Sequence, residues 1–146
     1  MFNFVPRIAS VFLLVVAGTL APAAAKERPF KASGEGFVNG NLYSRCEAMH
    51  LGRSFLDVTA ASYFLENGLF LARGGKLTSA SGDELYFVFD EEYYLFDTAN
   101  GVVSGTLTFT GGTGRFEDAT GSADVMFDFE PSFYNFRFLI DGSIDY

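Results

Sequence analysis

Gly105-Thr106-Leu107-Thr108-Phe109-Thr110 sets Leu107 and Phe109 on one side of an extended chain and three threonines on the other. Side chains of a strand alternate between its two faces, and β-branched residues suit a pleated surface, so this stretch reads as a strand with one apolar face. Val125, Phe127 and Phe129 repeat the pattern opposite Met126 and Asp128. Tyr134, Phe136, Phe138 and Ile140 repeat it again, opposite Asn135, Arg137 and Leu139.

Further strands are expected at Lys31 to Val38, Tyr43 to His50, Ser54 to Tyr63, Gly68 to Arg73 with an extension through Leu77, Leu85 to Phe89, and Tyr93 to Phe96. The total is about eight or nine, at the spacing of an all-β sandwich or barrel. Turn signals separate them at Asn39-Gly40, Glu66-Asn67-Gly68, Ser81-Gly82-Asp83, Ala99-Asn100-Gly101, Gly111-Gly112-Thr113-Gly114 and Asp141-Gly142. No segment after Ala25 carries a sustained helical period. Short turns between consecutive strands make a meander, and closing the meander removes its two exposed edges. The expected fold is therefore all-β, a single eight-stranded antiparallel barrel.

The chain holds 18 Phe and 7 Tyr but no Trp. The expected core is Leu85, Phe87, Phe89, Leu107, Phe109, Phe127, Phe129, Phe136 and Phe138, each burial contributing roughly 1.5 to 3 kcal/mol. A barrel of this size is either filled by side chains or holds one small ligand, and both outcomes stay open at this point. If the Phe stripes point inward, Asp128, Asn135 and Arg137 face solvent; if the polar stripes do, those three line a cavity. The hydrophobic effect favours the Phe stripes.

The first 25 residues have the composition of a secretory leader: Arg7, an apolar run from Ile8 to Leu20, and Ala23-Ala24-Ala25 at the small-residue positions of a cleavage site. Cleavage is expected after Ala25, leaving 26–146 as one domain that is secreted or periplasmic. The run is shorter than the roughly 20 apolar residues of a spanning helix, so no membrane span is expected after processing. All 18 acidic residues lie beyond Ala25, and the whole chain carries a formal charge of −8. A nucleic-acid partner is not expected, because phosphate binding needs Lys and Arg. Cys46 is the single cysteine, so no internal disulfide forms; a half-buried spectator is the reading favoured over a reactive or interchain thiol.

Thr110-Gly111-Gly112-Thr113-Gly114-Arg115-Phe116-Glu117-Asp118-Ala119-Thr120-Gly121 resembles a segment of the plant allene oxide cyclases and dirigent proteins. It is more similar still to bacterial exported proteins built on that barrel. His50-Leu51-Gly52-Arg53-Ser54-Phe55, Ala80-Ser81-Gly82-Asp83-Glu84-Leu85 and Gly142-Ser143-Ile144-Asp145-Tyr146 look like the same group. The resemblance implies an eight-stranded calycin-like barrel and a homo-oligomer, a trimer, with Tyr86, Tyr93 or Phe133 at the contacts. These are turn motifs that specify fold and not chemistry, and no catalytic residue carries over from them. On physical grounds the glycines at 111, 112 and 114 suit a tight hairpin, with Phe116 folding back as a plug at the barrel end.

No Lys-Ser/Thr or helix follows the Gly-rich turn, which rules out a phosphate cradle, and no Gly-x-Ser-x-Gly elbow is present. His50 has no second His or Cys at ligand spacing, so no metal and no cofactor is expected. Asp90-Glu91-Glu92 reads as a solvated hairpin tip and not a calcium loop. His50 beside Glu47 and Arg53, together with Arg137 and Asp128, are the candidate acid–base groups, with His50 expected on a strand. The leading expectation is an exported, non-catalytic barrel that binds a small apolar ligand between Phe87, Phe89, Phe109, Phe127, Phe129, Phe136 and Phe138. The alternatives are a cyclase or isomerase acting on a small hydrophobic substrate, and a structural or oligomeric interaction protein.

Overall fold

The computed structural model describes residues 26–59, 62–64, 69–91, 94–97 and 99–146, and the expected leader at 1–25 lies outside them. Eleven strands follow one another: β1 (Arg28–Asn39), β2 (Asn41–Ala48), β3 (Gly52–Thr59), β4 (Ser62–Phe64), β5 (Leu69–Leu71), β6 (Gly74–Ser79), β7 (Glu84–Phe89), β8 (Tyr94–Asp97), β9 (Val102–Gly112), β10 (Thr120–Phe129) and β11 (Asn135–Asp145). Eight of them close into an antiparallel barrel in the order β1, β2, β3, β6, β7, β9, β10, β11, with β11 returning to β1. Neighbours in the barrel are neighbours in sequence apart from the short insertions, as in an up-and-down meander.

The three short strands extend barrel strands. The register that pairs Thr59 with Gly74 continues unchanged to Ser62 with Leu71, so β3–β4 and β5–β6 are the two arms of one interrupted hairpin. Sequence reading had taken each arm as a single strand, Ser54 to Tyr63 and Gly68 to Leu77. β8 pairs with both β5 and the start of β9, continuing β7 beyond a break at Asp90–Glu91. Glu92 and Tyr93 lie outside the described residues. Asp90 is fixed at this break, accepting a 2.5 Å hydrogen bond from Thr108 Oγ1.

Alternation places all nine expected core residues inside. Phe127 is the node of an aromatic cluster, its ring centroid 5.9 Å from those of Phe70 and Phe136, 6.2 Å from Phe89 and 6.4 Å from Phe138. The facing wall is built from small residues, Ala32, Gly34 and Gly36 on β1 and Ser44, Cys46 and Ala48 on β2. A Cβ at Gly36 would stand 2.9 Å from Phe136 Cζ and 2.0 Å from the Tyr43 carbonyl oxygen, so the large rings occupy the room the glycine leaves. Ser44 is satisfied inside, donating to the carbonyls of Glu35 and Arg45 at 2.8 Å each.

Phe70 lies over Phe127 and Phe129 at the β4–β5 end. At the opposite end Phe116 is fully buried, 4.9 Å from the Tyr146 ring, with the Arg115 guanidinium 4.8 Å above the Phe116 centroid. This is the expected plug, but it does not sit on a tight hairpin. β9 runs on to Gly112, and a 3-10 turn at Gly114–Phe116 makes the return. Gly111 and Gly114 have φ of +123° and +56°, whereas Gly112 is needed for close approach, since a Cβ there would stand 2.1 Å from the Glu84 carbonyl oxygen.

His50 is not on a strand: it occupies the β2–β3 turn with φ +69°, because β2 has already ended at Ala48. Phe133, expected among the outward aromatics, is partly buried. It folds back in the β10–β11 loop to pack on the core, its ring 6.4 Å from that of Phe129.

Replacing Phe127 with Ala should cost about 3 to 5 kcal/mol in urea-induced unfolding, because it removes the ring that joins the cluster. Met126→Ala, next in sequence but on the outer face, should cost less than about 1 kcal/mol in the same measurement.

Candidate functional site

The pleat that turns the Phe stripes inward turns Asp128 and Arg137 outward, where β10 and β11 pair them directly. Arg137 Nη2 lies 3.0 Å from Asp128 Oδ2, with the two side chains 70% and 34% exposed. The cross-strand row continues to Glu35 on β1 and Arg45 on β2, so charges of opposite sign stand next to one another across four strands. Two residues along, a second row runs Asn135, Phe37, Tyr43, Asp57, Lys76 and Tyr86.

At the β10–β11 end these rows border an open cleft of about 650 Å³, lined by Glu35, Phe37, Asn100, Asp128, Glu130, Pro131, Asn135 and Arg137 above a floor of Gly36, Phe129 and Phe136. The β10–β11 loop forms one wall. Its turn is closed by the Phe133 amide donating to the Glu130 carbonyl at 2.8 Å, and Asn135 Nδ2 donates to Glu130 Oε2 at 3.1 Å. Val38 ties β1 to the loop by donating to the Tyr134 carbonyl. A cleft of this size is in the range of small-molecule sites. Its lining offers hydrogen-bond donors and acceptors and one aromatic face, Phe37, which is 51% exposed.

A second, shallower cleft of about 440 Å³ lies on the wall of β3, β6 and β7, lined in part by Asp57, Arg73, Lys76, Tyr86 and Val88. Lys76 Nζ lies 2.8 Å from Glu84 Oε1, and the Tyr86 hydroxyl donates to Glu84 Oε2 at 2.5 Å. The hydrogen bond from Lys76, helped by that from Tyr86, holds the Glu84 carboxyl below its usual range. The same contacts with Glu84 push the Lys76 ammonium and the Tyr86 phenol upward. This is an electrostatically closed set, with Lys76 neutralised by the carboxylate it touches.

The three acid–base candidates do not converge. Arg137 and Asp128 meet at the rim cleft, while His50 belongs to the far, plugged end of the barrel. Its Nε2 is 2.8 Å from the Pro29 carbonyl, its ring lies 5.5 Å from that of Tyr146, and Arg115 donates to its backbone oxygen. These contacts make it part of the end cap. Cys46 is buried within the small-residue wall, more enclosed than the half-buried position expected; burial, then the Glu47 carboxylate, pushes its thiol up to about 11. No group of three or more His, Cys, Asp and Glu side chains fit to hold a metal occurs among the described residues.

The cleft residues that the sequence reading missed are Glu35, Phe37 and Glu130. Phe37 carried a signal: it falls in phase with Lys31, Ser33 and Glu35, on the polar face of its strand, and out of phase with Phe30 and Ala32. No family model, curated protein or solved structure matches this chain.

Because burial holds the Cys46 thiol protonated, alkylation by iodoacetamide at pH 8 should be very slow until denaturant is added. The folded state holds this proton more tightly than the unfolded one. Stability should therefore fall as pH rises from about 9 to 11 and be indifferent to this group below that window. Arg137→Ala should leave the urea midpoint nearly unchanged, since an exposed pair contributes about 0.2 to 1 kcal/mol.

Proposed function

We propose that this protein is an exported, non-catalytic binding barrel whose interior is a packed scaffold and whose ligand site is the rim cleft at Phe37, Asp128 and Arg137. The observation that carries this reading is the division of the side chains between the two faces. The inner face is spent on aromatic packing, and the groups able to recognise a ligand stand outside. A nucleophile beside a base, held in turn by an orienting group, is the minimum for covalent catalysis. The cleft contains carboxylates, one guanidinium and two amides, with Arg137 already bound to Asp128, which suits recognition more than turnover.

A second reading, an apolar molecule held inside the barrel, is supported by the buried aromatic cluster and by the kinship that the Gly111–Gly121 turn suggests with allene oxide cyclase-like and dirigent-like barrels. It requires Phe70 and its neighbours to move aside. The cyclase or isomerase alternative needs polar groups within such a cavity, and Asp128, Arg137 and His50 are not placed there.

Amide chemical shifts of the labelled protein, 26–146, titrated with a panel of polyols, amines and apolar dyes, separate the readings. The outer-wall site predicts perturbations centred on Phe37, Asn135 and Arg137. Perturbations centred on Phe109, Phe127 and Phe138, with the outer wall silent, would replace it with the interior site.

A further inference from the structure

Beside the rim cleft, Phe37, Tyr43 and Phe55 stand on the outer face of β1, β2 and β3. Their ring centroids follow one another at 5.7 and 6.0 Å, with planes tilted by 34° and 30°. Phe37 is 51% and Phe55 40% exposed. Cross-strand pairing explains why such rings touch, but β-branched residues would pair as well without exposing large aromatic faces to water. Exposed aromatic surface of this kind marks a place where something binds.

The surroundings of the rings define what that is. Asn135 lies beside Phe37, Asp57 beside Tyr43, and Arg45 and Thr78 on either side of Phe55. Every ring is thus an apolar face framed by amide, carboxylate, guanidinium or hydroxyl groups, with no aliphatic side chain among these cross-strand neighbours. A lipid or an apolar peptide would bury those polar groups unpaired, at a cost. A pyranose ring presents the complementary surface: C–H groups on its faces to lie on an aromatic ring, and hydroxyls around its edge that both donate and accept.

Charge narrows the class. The chain carries a net charge of −8, and the rim cleft at the end of the platform sets Glu35, Asp128 and Glu130 against Arg137, so an anionic glycan is repelled there. Of the cations beside the platform and cleft, Arg137 is paired with Asp128 and Arg45 stands across from Glu35. We propose that the Phe37–Tyr43–Phe55 platform and the adjoining rim cleft form one site for an extended, neutral oligosaccharide. Its sugar rings stack along the platform, and its end enters the cleft between Asn135, Glu35 and Arg137. This assignment rests on the outer-wall reading of the function and names its ligand class.

The test is a calorimetric and amide-shift titration of the protein with gluco-, xylo- and chito-oligosaccharides of one to six units, with oligogalacturonate as the anionic control. At least one neutral series is expected to bind, with affinity rising about tenfold from monosaccharide to trisaccharide as successive rings are covered. Phe37→Ala and Phe55→Ala should each weaken it about three- to tenfold, while Phe37→Tyr, which keeps the ring, should retain it. Both alanine variants should keep the wild-type circular dichroism spectrum, since the rings they remove are exposed. Binding of no neutral series, equal binding of oligogalacturonate, or alanine variants that bind like the parent would each overturn the proposal. If the sugars fail while amines or apolar peptides still perturb the outer wall, the saccharide assignment alone falls. An outer wall silent to every class removes the binding-barrel reading with it.

Discussion

Cross-strand register in a closed sheet is the constraint on which everything else in this protein depends. β10 and β11 pair Phe127 with Phe138 and, one residue on, Asp128 with Arg137. Because side chains alternate strictly, a slip of one residue on either strand would carry an aromatic stripe into water and a charged row into the core. Closure through β9–β10 and β11–β1 leaves no free edge around the barrel along which such a slip could propagate. The same register therefore sets the hydrophobic core and the arrangement of polar groups outside.

Inside, the solution is asymmetric. Large rings come from β7, β9, β10 and β11, and the space they need comes from glycine, alanine and serine on β1 and β2. Close packing of this kind makes the wall intolerant of small changes, since an added methyl at Gly36 meets both backbone and a ring. Phe116 and Tyr146 at one end and Phe70 at the other extend the aromatic core along the barrel axis. A scaffold built in this way holds its outer wall in fixed geometry, which is what recognition by a shallow surface requires, because little ordering entropy is then lost on binding.

Outside, opposite charges fall side by side. Arg137 lies between Asp128 and Glu35, and Lys76 and Tyr86 both bind Glu84. Such pairs contribute little stability at an exposed surface. Their effect is to quench single charges across the outer wall. The Cys46 thiol, pushed upward by burial and by the Glu47 carboxylate, is shifted towards inertness.

Much of this fold was legible without coordinates. Period-2 stripes at 105–110, 125–129 and 136–140 specify which faces are buried, since alternation and hydrophobicity are both local properties of the chain; Tyr134, expected in the last stripe, is 71% exposed because β11 begins only at Asn135. The division of the arms into β3 and β4, β5 and β6, and β7 and β8 was not legible, because it shows only in the pairing of the described strands. The plug at Phe116 could be anticipated from its place after the glycines, but its 3-10 turn depends on contacts with β7 and Tyr146. His50, Asp128 and Arg137 were selectable as reactive residue types, and the rim cleft was not. Glu35, Phe37, Glu130 and Arg137 lie on two strands and a loop separated by about a hundred residues of sequence. By itself the sequence determines which side chains a strand hides and which it shows; which exposed side chains become neighbours is decided only when β11 closes on β1, because cross-strand adjacency is a property of the assembled sheet and not of any strand in it.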